Sequence, residues 1–402
     1  MNILRVKNPI RLSVPWGKSV SNILFYMSFF LYVGTSLLRD TTIQYDYKEV
    51  YRFLKYFYWA AVIIAAVNII LLADYTIGQM ILYTVIAVVF WISYKNNGNY
   101  RLFQGFVIAL SGRNVEWKKL TANSALFYGI SMVIVYFLFC FGITHNMDIY
   151  YRGDEIRWTM GFTHPNLLGG YMLVFALVWV AARYESFNLG DGILLALCAG
   201  FAWAIPHSRG SSMMIAFLLI LTLCAKLIGR KALKITFVRV CLMYTYPACF
   251  AFGLFSSFFY KRNSSAWNKL DVLTSGRISA GYAFLKKYPR SVWGQKIEQI
   301  SNYETATNGE VGLYLNSAYM RLYISVGIVG CLIVLWLFVR IMQYAILNEQ
   351  YGMICGLVVL AVYGISELYL TYIHWNIFMI VIAYLQASDW GKDSWRRWLC
   401  CQ

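Results

Sequence analysis

The sequence predicts an all-α, polytopic integral membrane protein, a helical bundle of about twelve transmembrane helices. Three observations carry that reading. Of 402 residues, 60% are hydrophobic and 13% charged, and the mean hydropathy is +0.55, well outside soluble globular composition. The apolar residues come in runs close to the roughly 20 that span a hydrocarbon core of about 30 Å. Lysine and arginine collect in alternate connections between those runs, as they do where loops stay on the cytoplasmic side.

In chain order the runs lie at 19–38, 54–73, 77–94, 100–112, 121–143, 166–183, 190–207, 211–228, 237–256, 318–340, 351–369 and 371–387. The run at 100–112 is short, so a count of eleven stays open. The first has no small-residue cleavage site behind it and is expected to remain as an anchor. With the amino terminus inside, an even count leaves both termini cytoplasmic. It also places Arg5, Lys7, Arg11 and Lys18, then Arg113, Lys118 and Lys119, then Lys226, Arg230, Lys231 and Lys234, and finally Lys392, Arg396 and Arg397 on the inner face. No long repeat or low-complexity linker divides the chain. One membrane domain over 1–402, with a large extracytoplasmic loop at 257–317, is the simplest organisation.

The formal charge of +17 is spread over many loops, without a basic domain or nucleic-acid motif. Lipid phosphates and a phosphorylated substrate are the expected partners, and nucleic acid is not. The nine cysteines have no metal-ligand spacing and form no disulfide framework. No DxD sequence, Walker loop or GxGxxG occurs, so neither a metal nor another cofactor is expected.

On the outer face three segments are dense in polar groups: "THNMDIYYRGDEIRWTMGFTHPN" (144–166), "PHSRGSS" (206–212) and the loop 257–317. They bring Arg152, Arg157, His164, His207, Arg209 and Arg277 to one surface, each able to donate to an anion. In "THPNLLGG", His164 and Pro165 open a helix, since proline suits a first turn, and Gly169 and Gly170 leave its surface bare for a neighbouring helix or lipid chain. That helix start either faces an anion or is a simple capping turn. Arg209 is either a substrate contact or an arginine reaching to headgroup level. Residues 275–288 predict a short helix with Ile278, Tyr282 and Leu285 as its apolar stripe and Arg277 in its first turn.

"RWTMGFTHPNLLGG", "SRGSS", "LTSGRISAGYAFLKKYPRSVWGQ", "LNSAYMRLYISVGIVG" and "YGISELYLTYIHWNIF" follow one another in the order seen in Wzy-type polymerases of capsule and exopolysaccharide. Over about residues 157–378 the chain resembles that family, part of the O-antigen polymerase and ligase superfamily. The resemblance implies a GT-C-like fold in the bacterial cytoplasmic membrane and a metal-independent, inverting glycosyltransferase. Such an enzyme moves a growing glycan from undecaprenyl pyrophosphate to the non-reducing end of an undecaprenyl-pyrophosphate-linked repeat unit on the outer face. A chain-length regulator and the flippase of the same pathway are the implied protein partners. Carried over by position, His164, Arg277 and Glu367 would be catalytic, and Arg157, Arg209, Arg277 and Asn166 would bind the pyrophosphate; Asn376 is the asparagine near the carboxyl end.

Arginine forks and aligned donors suit a lipid-pyrophosphate leaving group, and the acceptor hydroxyl needs a base within about 3 Å. His164, Asp154, Glu155, Glu304 and Glu310 are candidates; Glu367 is either a base or an arginine's partner. Asn316 and Ser317 stand where many relatives carry Asp-Asn. Asp40 and Asp46, in the first outer loop, lie in no recognisable motif. A ligase acting on finished glycan shares the donor chemistry, and a transporter or flippase of lipid-linked oligosaccharide is the alternative of another class, although related halves and broken mid-membrane helices are not evident in the sequence.

Overall fold

The computed structural model describes residues 16–152, 154–300 and 314–385. Its elements are α1 (Gly17–Arg39), the single turn α2 (Ile43–Asp46), α3 (Lys48–Leu71), α4 (Ile77–Asn97), α5 (Arg101–Ser111), α6 (Trp117–Cys140), a small hairpin of β1 (Tyr151–Arg152) and β2 (Glu155–Ile156), α7 (Pro165–Arg183), α8 (Leu189–Ala204), α9 (Arg209–Lys234), α10 (Thr236–Met243), α11 (Thr245–Phe258), α12 (Ser265–Leu273), α13 (Arg277–Lys287), α14 (Ala318–Arg321), α15 (Ile328–Leu347) and α16 (Tyr351–Tyr363). Thr76 and Gln79 close a capping box at the start of α4, which ends on Gly98 at φ 75°. Asn188 and Asp191 do the same for α8.

Apolar residues cover the outside of the bundle as well as filling its core. On α6, Leu126, Ile130, Val133 and Phe137 are exposed, while Thr121, Ser124 and Ser131 are buried. Lipid is the solvent that makes such a surface stable. Inside, polar groups join helices: Asn68 of α3 donates to the carbonyls of Ser21 and Ser111, both at 3.0 Å. Among the described residues seven helices (α1, α3, α4, α6, α7, α9 and α15) are long and apolar enough to cross a membrane, and α10 with α11, bent by 54°, makes an eighth if counted as one span. Pro247 explains that bend, since it offers no N–H to Met243 and its ring crowds that carbonyl. Helices α8 and α16 are apolar but shorter.

Three expected runs depart from regular spans. The run at 318–340 is interrupted by a π-helical turn, Leu322–Val326, and by Gly327 at φ 94°. The chain after α13 packs into that break, with Ile328 N–H bonding the Ser291 carbonyl and Gln295 N–H the Ser325 carbonyl, both at 3.0 Å; a Cβ on Gly327 would overlap Gly294. The run at 351–369 ends its helix at Tyr363. The run at 371–387 contains no α-helix among its described residues: Ile377–Tyr384 is a buried 3-10 segment at the centre of the bundle. Side chains from elsewhere take its carbonyls, Tyr83 bonding Ile382 at 3.0 Å, Gln79 bonding Leu385 at 2.8 Å and Arg113 bonding Ala383 at 2.7 Å. These side-chain donors add to the i→i+3 bonds of the 3-10 turns.

The expected outer-loop helix is α13. Its buried residues are Ile278, Gly281 and Phe284 rather than the stripe Ile278, Tyr282 and Leu285. Gly281 decides the difference, because its bare Cα lies against Ser257 of α11, where a Cβ would overlap.

Candidate functional site

A polar cavity of about 620 Å³ lies where the cavity-side ends of α1, α4 and α7 meet the start of α5 and the chain after α16; Asp40, Asn99, Arg101, His164, Arg321 and Glu367 are among its lining residues. The loop before α7 is fastened to the end of α1. Thr42 N–H bonds the Gly161 carbonyl at 2.9 Å, and Thr163 N–H bonds the Asp40 carbonyl at 3.0 Å. This pairing, with Met160 and Gly161 in the left-handed region, sets Asp40 beside His164.

His164 is the N-cap of α7, with Pro165 in the first turn. Its Nδ1 accepts the Asn166 N–H at 3.0 Å, so the neutral ring carries its proton on Nε2. Tyr150 meets the ring edge-on at 4.6 Å. Burial, reinforced by the charges of Arg157 and Arg277, pushes the imidazole down to about 3. Near neutral pH His164 is therefore a donor and has no lone pair left for use as a base.

From Asn166 a network runs across the site. Arg157 Nη2 donates to Asn166 Oδ1 at 2.7 Å, and its Nε donates to the Pro206 carbonyl at 3.1 Å. Asn166 Nδ2 donates to Glu367 Oε1 at 3.1 Å, and Arg277 Nη2 donates to the same oxygen at 3.2 Å. Arg277 Nε bonds the Ser366 carbonyl at 2.9 Å. With the Asn316 amide turned so that its oxygen faces the guanidinium, it accepts from Arg277 Nη1 at 3.0 Å and Nη2 at 3.1 Å. The Arg277 and Glu367 side chains are 19% and 13% exposed, so this ion pair is well screened from solvent. Five expected residues, Arg157, His164, Asn166, Arg277 and Glu367, thus come together, with Asn316 beside them.

Arg209 does not join them. It is exposed on the first turn of α9, its guanidinium 5.7 Å from the Trp203 ring. Asp154 and Glu155 are also exposed and away from the cavity lining, and Asp46 pairs with His145 at 3.0 Å. Glu304 and Glu310 lie outside the described residues. Asn376 is buried, its Nδ2 bonding the Leu370 carbonyl at 2.8 Å, and does not line the cavity.

Sequence reasoning missed much of the remaining wall. Asp40 Oδ2 accepts from Tyr171 Oη at 2.8 Å, and burial raises its carboxyl against the pull of Arg101, Tyr171 and Arg39. Arg101 opens α5, and Arg321 closes α14 immediately before the π-helical turn. Trp375 packs between Tyr171 and Tyr369, with centroids 4.0 Å from each, which gives the cavity an aromatic floor. Arg321 stood inside a quoted motif; a charged residue at the edge of the short run 100–112 was the available signal for Arg101. Among the described residues no group of three His, Cys, Asp or Glu could hold a metal ion. No family model, curated protein or solved structure matches this chain.

Proposed function

We propose that this protein is a polysaccharide polymerase of the bacterial cytoplasmic membrane, a GT-C-like glycosyltransferase that extends a glycan carried on a lipid pyrophosphate. The observation that carries the reading is the cavity itself: a carboxylate held by two donors, a neutral imidazole donor and the guanidinium groups of Arg101 and Arg321 face one polar space in an otherwise apolar bundle. Beside it, Phe162 and Leu168, neighbours of Thr163 and Leu167 in the cavity wall, line an apolar groove of about 420 Å³ with Met132, Val133, Tyr136 and Met172. That adjacency suits a substrate with a charged head and an isoprenoid tail.

In the reaction, an acceptor hydroxyl attacks the anomeric carbon of the donor glycan. The new C–O bond forms as the bond to the pyrophosphate oxygen breaks, and the leaving group departs with that electron pair. Glu367 takes the hydroxyl proton, and Arg277 and Asn166 hold its carboxylate in place. His164 Nε2–H and the guanidinium groups stabilise developing negative charge in a site screened from bulk water. In this reading the chain passes the membrane twelve times, counting α5 and Ile377–Tyr384 as short passages. The cavity faces outward, and the basic ends of α5 and α9, with Arg113, Lys231 and Lys234, face the cytoplasm.

The test uses purified protein and a synthetic undecaprenyl-pyrophosphate repeat unit. Glu367→Gln, whose amide still accepts from Arg277, is expected to slow elongation by roughly 100-fold or more, while Arg209→Gln, outside the cavity, retains nearly full activity. Equal rates for wild type and Glu367→Gln would remove Glu367 from the chemistry.

A further inference from the structure

The guanidinium groups in and behind the cavity wall are not equivalent. Those of Arg157 and Arg277 are already engaged: Arg277 with Glu367, the Ser366 carbonyl and Asn316, and Arg157 with Asn166 and the Pro206 carbonyl. Arg101 and Arg321 differ. Among the described residues nothing hydrogen-bonds the Arg101 guanidinium, which lies 5.0 Å from the centre of the Tyr372 ring, and Arg321 has the Tyr314 hydroxyl as its partner. Both line the cavity, and each feels the other's positive charge. Asp40 is a carboxylate close enough to act on Arg101, and it is shared with Arg39 and Tyr171.

Two like charges held together away from bulk water disfavour one another unless an anion joins them. Their surroundings are built to hold them there. Asn99 Oδ1 accepts the Arg101 N–H at 3.0 Å, and Asn99 Nδ2 donates to Tyr372 Oη at 3.1 Å. Asn97 Oδ1 fixes the Asn99 N–H at 2.6 Å, and Asn97 Nδ2 bonds the Ser325 carbonyl at 3.2 Å, within the π-helical turn that follows Arg321. Tyr100, the N-cap of α5, adds no side-chain acceptor of its own, so the positive end of that helix still adds to the same wall.

We infer that Arg101 and Arg321, with the Tyr372 and Tyr314 hydroxyls, form the position that binds the phosphoryl groups of the substrate, and that the Arg157–Asn166–Glu367–Arg277 network orients the acceptor side. This rests on the reading of the cavity as a transferase site, but its test does not depend on turnover. An acidic sugar could present similar negative charge, so two probes separate the sources: geranyl pyrophosphate and free glucuronate, each titrated calorimetrically into the detergent-solubilised full chain.

Geranyl pyrophosphate is expected to bind, more weakly at high salt, with Kd raised at least tenfold by Arg101→Gln or Arg321→Gln and left within twofold by Arg209→Gln. Arg321→Lys, which keeps the charge, should retain intermediate affinity, and melting temperatures of all variants identify any that fail to fold. Unchanged affinity in folded Arg101→Gln and Arg321→Gln, or loss only in Arg277→Gln, would overturn the assignment. Binding of glucuronate as tight as geranyl pyrophosphate, lost in the same variants, would overturn the phosphoryl identity of the ligand. Binding that behaves as expected in a protein that elongates no glycan would leave this site standing and reject the polymerase.

Discussion

His164 shows how one hydrogen bond sets a residue's chemistry. The sequence places it at a helix start, which is where it is, and leaves open whether it acts as a base. Its Nδ1 bond to the Asn166 N–H settles that at the level of the ring, because the lone pair a base would use is occupied. With its imidazole pushed down to about 3, the folded protein holds His164 neutral, while an unfolded chain takes up a proton near pH 6.5. His164 therefore adds to stability above pH 6.5, and its contribution is lost as pH falls from 6.5 towards 3. The expected NMR result is a His164 ring that stays neutral down to pH 5; a midpoint near 6.5 in the folded protein would refute the donor assignment. Arg101 and Arg321 were not singled out in the sequence, because a lone arginine at a span edge looks the same whether it faces lipid phosphate or a cavity. Their meaning arises only when α5 and α14, more than two hundred residues apart, share a wall.

At the scale of elements, the glycine pair of α7 was legible and the last segment of the bundle was not. Gly169 and Gly170 were expected to admit a close neighbour, and they do: a Cβ on Gly169 would reach Ser208 at 2.5 Å, and one on Gly170 would reach Trp375 at 2.9 Å and Tyr369 at 3.1 Å. Gly170→Ala should thus push on the aromatic floor of the cavity and destabilise the fold by about 1–3 kcal/mol, seen as a lower melting temperature with reduced substrate binding. A melting temperature equal to wild type would mean that the floor yields freely. Residues 371–387 read as an ordinary span because hydropathy records where a segment lies, not how its carbonyls are satisfied. The donors that make a 3-10 path workable, Gln79, Tyr83 and Arg113, come from the other end of the sequence. For a similar reason the apolar stripe of α13 was misplaced by one residue, since Gly281 scores as neutral in any pattern yet marks the tightest contact.

For the whole molecule, composition alone made the membrane class legible, and the exposed apolar faces of α3, α4, α6 and α9 agree with it. Orientation follows in the proposed reading from where the basic residues collect. In a background without other cysteines, Asp148→Cys in the loop after α6 should react with a membrane-impermeant maleimide added to intact cells, and Lys231→Cys at the end of α9 should react only after the cells are opened. The reverse pattern would invert the topology and turn the cavity to the cytoplasm.

The central claim is that the cavity joins lipid-linked glycans without a metal. The most direct measurement incubates the purified protein with a synthetic undecaprenyl-pyrophosphate repeat unit in the presence of EDTA and resolves the products by gel. A ladder of products, each one repeat unit longer than the last, is the expected result. Unextended substrate, together with movement of the labelled lipid across the membrane of vesicles carrying the protein, would contradict that claim and identify a carrier.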